Sequence, residues 1–158
     1  MFGRKLLVYV DASVVGGCED LVFKDDSTAL WERFRTGCYT LALSEQTLRE
    51  LAIAPPAVQN RVTEIPRENQ VRIPDQPEAV ALAEAYIKRG ALGPGSRSRI
   101  LHVALATIGR VDVLVSWSTR HIVSSGRIRL FNAVNVEEGF GALEIRTPKQ
   151  MLEFDQGL

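Results

Sequence analysis

An α/β fold, with a central parallel sheet covered by helices on both faces, is what this sequence predicts. Three observations carry the prediction. Short apolar runs of strand length recur at residues 6–10, 39–43 and 113–116. Segments of helical pattern alternate with these runs, as they do where crossover helices join parallel strands. The first run is apolar throughout and rich in β-branched and aromatic residues, as a strand buried on both faces is, and 113–116 reads as a second buried strand. At 158 residues the chain has the size of one ordinary domain. With no internal repeat, low-complexity stretch or linker in view, a single domain over 1–158 is expected.

The elements follow in order. Leu6-Leu7-Val8-Tyr9-Val10 is the first strand and stops at Asp11, and Gly16-Gly17 breaks the chain soon after. Asp25, Asp26 and Ser27 offer N-caps for a helix through Leu30, Trp31 and Phe34 that Gly37 ends. Residues 39–43 form the second strand. Ser44 caps a helix through Leu48 and Leu51, which Pro55-Pro56 interrupts before a further short helix towards Ile65. Residues 71–73 read as a brief strand. Pro77 opens a helix with Val80, Ala83 or Glu84, and Ile87 on one side and Gly90 as its stop; residues 92–95 form a loop. Ser96 or Ser98 caps a helix carrying Ile100, Leu101, Val103, Ala104, Leu105 and Ile108, apolar nearly all round and therefore central, with Gly109 ending it. A buried strand at 113–116, a helix over 128–136, a strand at 143–145 and a short helix after Pro148 complete the chain.

Lys plus Arg and Asp plus Glu number 19 each, so net charge names no partner. Its distribution is uneven. Between Ser96 and Val136 stand Arg97, Arg99, Arg110, Arg120, Arg127 and Arg129 against the single acid Asp112. Such an excess marks either a phosphate-facing surface or solvated arginines on unrelated faces. Cys18 and Cys38 lack metal-ligand spacing and read as reduced thiols. The apolar run at 6–10 is too short for a signal segment or a membrane span, so a cytoplasmic protein without membrane association is expected.

In an open parallel sheet, ligands bind beyond the carboxyl ends of the strands. Asp11, Glu45 and Glu50, and Ser116-Trp117-Ser118 all follow strands at that edge. Asp11 alone suits a helix or turn cap, and Glu50 alone a solvated face. Together they suit a hard cation, which needs several oxygen ligands from separate segments. Asp112 precedes its strand and belongs at the opposite edge. His102 reads as a hydrogen-bonded, half-buried histidine or as a ligand or base. Trp117 reads as packing, or as a platform on which a base could stack.

Val8-Tyr9-Val10-Asp11-Ala12-Ser13 resembles the opening motif of PIN domains, and Leu43-Ser44-Glu45-Gln46-Thr47-Leu48-Arg49-Glu50-Leu51 resembles the segment bearing their second acid, at Glu50. Leu101-His102-Val103-Ala104-Leu105-Ala106-Thr107, Asp112-Val113-Leu114-Val115-Ser116-Trp117 and His121-Ile122-Val123 form the strongest match. Asn132-Ala133-Val134-Asn135 and Glu144-Ile145-Arg146-Thr147-Pro148 are similar to the ends of one subfamily, so the resemblance spans nearly the whole chain. It implies a three-layer PIN-like sandwich and a ribonuclease using Mg2+ or Mn2+ on three or four acids. It also implies kinship with toxins of the VapC type, which are commonly homodimeric and neutralised by an antitoxin protein.

Asp11 and Glu50 match the first two acids, as metal ligands and catalytic groups. The third acid, expected in Asp-Ala-Leu-His, is replaced in Arg99-Ile100-Leu101-His102, and the fourth position is Ser118. A guanidinium cannot ligate Mg2+ and stays protonated. Arg99 is expected to pair with Asp11 or Glu50 in place of the metal, and Arg99, Arg120 and Ser118 to face nucleic acid. Three expectations stand: a degenerate PIN domain that binds RNA or a protein partner, an active Mg2+- or Mn2+-dependent endoribonuclease using Asp11 and Glu50, and a structural interaction module.

Overall fold

The computed structural model describes residues 4–90 and 96–156, so the loop expected at 92–95 lies outside the described residues. The strands are β1 (Leu6–Val10), β2 (Tyr39–Ser44), β3 (Gln70–Ile73), β4 (Val113–Val115) and β5 (Glu144–Arg146). The helices are α1 (Ala12–Gly17), α2 (Lys24–Arg35), α3 (Glu45–Ala52), α4 (Pro56–Thr63), α5 (Pro77–Lys88), α6 (Arg97–Ile108), α7 (Ser125–Glu137) and α8 (Pro148–Gln156). The five strands form one sheet in the order β3-β2-β1-β4-β5, with every pairing parallel.

Alternation along the strands divides the core into two layers, because successive side chains of a strand point to opposite faces. On one face, Val8, Val10, Leu41, Leu43, Val113 and Val115 pack with Val14, Leu30, Trp31, Phe34, Leu51, Val58 and Met151 of α1, α2, α3, α4 and α8. On the other, Tyr9, Ala42, Leu114 and Ile145 pack with α5, α6 and α7 through Leu82, Tyr86, Ile100, Leu105 and Phe131. The expected three-layer architecture is the one observed. Both cysteines are free, and burial pushes the Cys18 thiol up to about 11, so it stays protonated at neutral pH.

Several elements differ from the sequence reading. Residues after Asp11, expected to lead only to a break, form the short helix α1, which Asp11 caps by accepting from the Ser13 N–H. Helix α2 begins at Lys24, with Asp25 and Asp26 in its first turn rather than capping it. There the two acids favour the positive end of the helix dipole. The buried side of α5 is Ala79, Leu82, Ala83 and Tyr86, while Val80 is exposed. Tyr86 sets that face by reaching the buried Asn135 of α7, a contact invisible in the α5 pattern. Helix α7 starts at Ser125, three residues before the first apolar position.

Gly37 and Gly90 take positive φ angles and end their helices as expected. At the end of α6 the left-handed position falls instead on Arg110, at φ 55°. Gly109 is required there for space, since a Cβ on it would lie 2.7 Å from Ile73 Cδ1 and 3.0 Å from the Leu105 carbonyl oxygen.

β1 lies at the centre, and the chain winds outward from it to β2 and β3 before returning to β4 on its other side. That reversal opens a crevice at the carboxyl ends of β1 and β4, where side chains from both halves of the fold can meet.

Candidate functional site

A cleft of about 460 Å3 occupies this crevice. Asp11, Glu50, Arg99 and Ser118 line it, together with Ser13, Phe23, Ser98, His102 and Trp117. Six residues singled out from sequence, Asp11, Glu50, Arg99, His102, Trp117 and Ser118, are thus brought together. Arg120 is not among the lining residues; it is exposed on the segment before α7, where its carbonyl accepts from Arg127 Nε at 3.1 Å.

Asp11 is delivered by β1 and is 6% exposed. Both its oxygens are engaged: Oδ1 accepts from the Ser13 hydroxyl at 2.5 Å and the Ser13 N–H at 3.1 Å, and Oδ2 accepts from the Ser116 hydroxyl at 2.6 Å. Ser116 follows β4 directly, so its bond to Asp11 ties the two sides of the crevice together. The Ser118 N–H donates to the Ser116 oxygen at 3.0 Å, placing Ser118 at the rim by its backbone.

Glu50 rises from α3, and His102 faces it from α6. His102 Nε2 lies 2.9 Å from each Glu50 oxygen, and Gln46 Nε2 donates to the same carboxylate at 3.2 Å. Burial would raise the Glu50 pKa, but the hydrogen bond and charge of His102, aided by Gln46 and the Ala12 N–H, outweigh it and hold the carboxyl below its ordinary 4.5. Behind His102 the chain of polar atoms continues into the core. The Tyr9 hydroxyl lies 2.6 Å from His102 Nδ1 and 2.7 Å from the Ser44 hydroxyl, which accepts from the Thr47 N–H at 3.0 Å. Burial drives the Tyr9 pKa up, so the phenol keeps its proton.

The expected pairing of Arg99 with Asp11 or Glu50 is not the one found. Arg99 is exposed on the first turn of α6 and, among the described residues, forms no ion pair with either acid. The partner taken by Glu50 is His102, one helical turn further on, and that taken by Asp11 is a pair of serine hydroxyls. Arg99 acts at longer range. His121 is held below the usual histidine value first by loss of solvent and then by the charges of Arg99, Arg127 and Arg120. Arg127 Nε donates to the Arg120 carbonyl, so those two lie side by side. Other basic residues of the same stretch are dispersed: Arg97 pairs with Glu84, and Arg110 lines a separate pocket at the end of α6.

Asp112 lies at the opposite edge of the sheet, as expected, paired with Arg4 at 2.5 Å and accepting from the Leu7 N–H at 2.7 Å. Glu45 is exposed at the start of α3 and does not line the cleft.

Phe23 and the structural part of Ser13 were not legible as site residues. Trp117 donates its indole N–H to the Ser27 hydroxyl at 2.8 Å and its backbone N–H to the Ser13 hydroxyl at 3.0 Å. Phe23 stacks on it with ring centroids 4.2 Å apart and planes 23° from parallel.

The donor set does not fit a pair of divalent ions. Among the described residues no group of three or more His, Cys, Asp and Glu side chains is placed to hold a metal. Two carboxylates remain, each already hydrogen-bonded, with Arg99 lining the same cleft. Mg2+ is held by oxygen ligands, and two-metal hydrolysis asks for more carboxylate than one metal does.

No helix among the described residues is long and apolar enough to cross a membrane. No protein-family model matches the chain, and no curated protein matches it in sequence. Among solved structures it is similar to a chain of VapBC2 from Rickettsia felis, in a crystal structure bound to a DNA fragment from the promoter of that pair. The likeness spans 90% of this chain and 98% of that one, with a TM-score of 0.52 at 10% identity. At that identity what the two chains share is the fold.

Proposed function

We propose that this chain is a PIN-like domain of metal-dependent ribonuclease ancestry that binds RNA without cutting it, and that it engages an antitoxin-like protein partner. The observation that carries this reading is the Glu50–His102 contact, 2.9 Å to both carboxylate oxygens, with Arg99 lining the same cleft. A carboxylate already satisfied by a neighbouring imidazole gains less from a cation, and a fixed positive charge nearby opposes that cation directly. The same arginine, exposed and lining the cleft, attracts a phosphate backbone, and Arg120, exposed two residues past the lining Ser118, adds to that charge. The likeness to VapBC2 supports the ancestry at the level of fold and motivates the protein partner. A homodimer belongs to the same reading.

A second reading has one observation in its favour. Asp11 and Glu50 line one cleft, so they would be the ligands of a single Mg2+ or Mn2+ in an active endoribonuclease.

Calorimetric titration of Mn2+ into the protein and into Arg99→Asp, side by side with an RNA cleavage assay, separates the two. The first reading expects silence from the unmodified protein, binding by Arg99→Asp, and no cleavage. Millimolar or tighter binding by the unmodified protein, with cleavage that Asp11→Asn abolishes, overturns it in favour of the nuclease.

A further inference from the structure

The mouth of the cleft carries an aromatic step that the acidic centre does not use. Trp117 is fixed at both ends, its indole N–H on Ser27 and its backbone N–H on Ser13. Ser27 is fully buried, and Gly17 leaves the room that this anchoring requires, since a Cβ there would lie 2.3 Å from the Ser27 oxygen and 2.8 Å from Trp117 Nε1. With its polar handle satisfied inside the protein, the indole presents only a face, and Phe23 covers it. Phe23 is itself only half-buried and lines the cleft. Its loop is held by Asp20, whose carboxylate accepts from the Val22 N–H at 2.8 Å and the Phe23 N–H at 3.4 Å. The ring is therefore held by its turn, backed by the anchored indole and half open to solvent.

Charge decides what such a step receives. Asp11 and Glu50 lie in the cleft and repel phosphate, whereas Arg99, which also lines it, is exposed, and the exposed Arg120 stands two residues past the lining Ser118 with Arg127 bonded to its carbonyl. A neutral, flat group can enter beside the carboxylates while its phosphates stay with the arginines. An unpaired nucleobase on its sugar-phosphate chain has that division of charge; a base within a duplex has no free face to offer. We infer that Phe23, stacked on Trp117, is a platform for one nucleobase of a single-stranded nucleic acid, oriented base inward and backbone outward. This rests on the RNA-binding reading above and adds to it a requirement for the base itself.

The test is fluorescence anisotropy with a dye-labelled single-stranded RNA oligonucleotide and with the same oligonucleotide made abasic, on the unmodified protein, Phe23→Ala and Phe23→Leu. Base stacking on an aromatic ring corresponds to about 5- to 150-fold in affinity per base. The unmodified protein is expected to bind the base-bearing strand tighter than the abasic strand by a factor in that range. Phe23→Ala is expected to erase the difference while binding the abasic strand unchanged, which also shows that the variant is folded. Equal binding of both strands by the unmodified protein overturns the platform and leaves the RNA-binding reading standing. Full retention of the base preference by Phe23→Leu overturns stacking in favour of simple apolar contact. Binding of neither strand by the unmodified protein overturns both proposals.

Discussion

Glu50 is subject to two opposing influences. Partial burial alone would favour its neutral form, yet His102, Gln46 and the Ala12 N–H favour the carboxylate, and the result is a folded-state pKa below 4.5. A carboxyl whose pKa is lower folded than unfolded stabilises the protein fully above the ordinary value and loses that contribution as pH falls through the folded value. Stability should therefore decline on acidification below about pH 4.5, and Glu50→Gln should make the decline shallower. Urea unfolding of both proteins between pH 7 and pH 3 measures it; parallel curves would remove Glu50 from the acid response. Asp75 and Asp112, lowered by Arg49 and Arg4 against the opposing effect of burial, also contribute to the slope, so the difference between the two curves is the informative quantity. His102 is the site residue whose identity was visible and whose partner was not. Its spacing from Arg99 put both on one helical face, but which of them meets Glu50 depends on how α3 and α6 approach, and nothing local in the sequence encodes that.

At the scale of elements, what was legible follows the strength of local pattern. The strands at β1, β2 and β4 were plain because an apolar run ending in Asp11, Ser44 or Ser116 has few other solutions in a parallel sheet. Helix α1 was not, because six residues ending in Gly16-Gly17 carry less than two turns of periodicity. That helix nevertheless sets the cleft mouth through Gly17. Gly17→Ala places a methyl group against Ser27 and Trp117, and overpacking of this kind costs roughly 1–3 kcal/mol. The variant should unfold at lower urea, and the emission of Trp117 should shift as its ring leaves Ser27. Unchanged stability and emission would mean that α1 yields freely, and the indole would then not be rigidly seated.

The whole molecule is a sheet with a separate core on each face. Leu41 belongs to one core and Leu114 to the other, on strands separated by β1 and hence roughly 10 Å apart. Each Leu→Ala change should cost about 2–5 kcal/mol, and the double variant should cost their sum within about 0.5 kcal/mol. Chemical denaturation of the three variants checks this. A large deviation would show the cores coupled through the sheet, and a second transition would show that one face unfolds alone. Fold class was readable at this scale because composition and alternation act along the entire chain. The assembly of the cleft was not, since it joins residues from β1, α3, α6 and the segment after β4 across long stretches of sequence.

The sheet ends in brief margins. β3 has four residues and β5 three, and arginines stand on both, Arg72 on one and Arg146 on the other. An open sheet leaves a row of unpaired backbone groups along each outer strand, and a long, uncharged row invites another molecule to add itself as the next strand. Here that row is cut to a few groups and bears charged side chains, Arg72 on β3 and the Arg146–Glu144 pair on β5, so growth of one molecule upon another along the sheet is disfavoured. An all-parallel sheet open at both margins thus carries its own guard against edge-to-edge association.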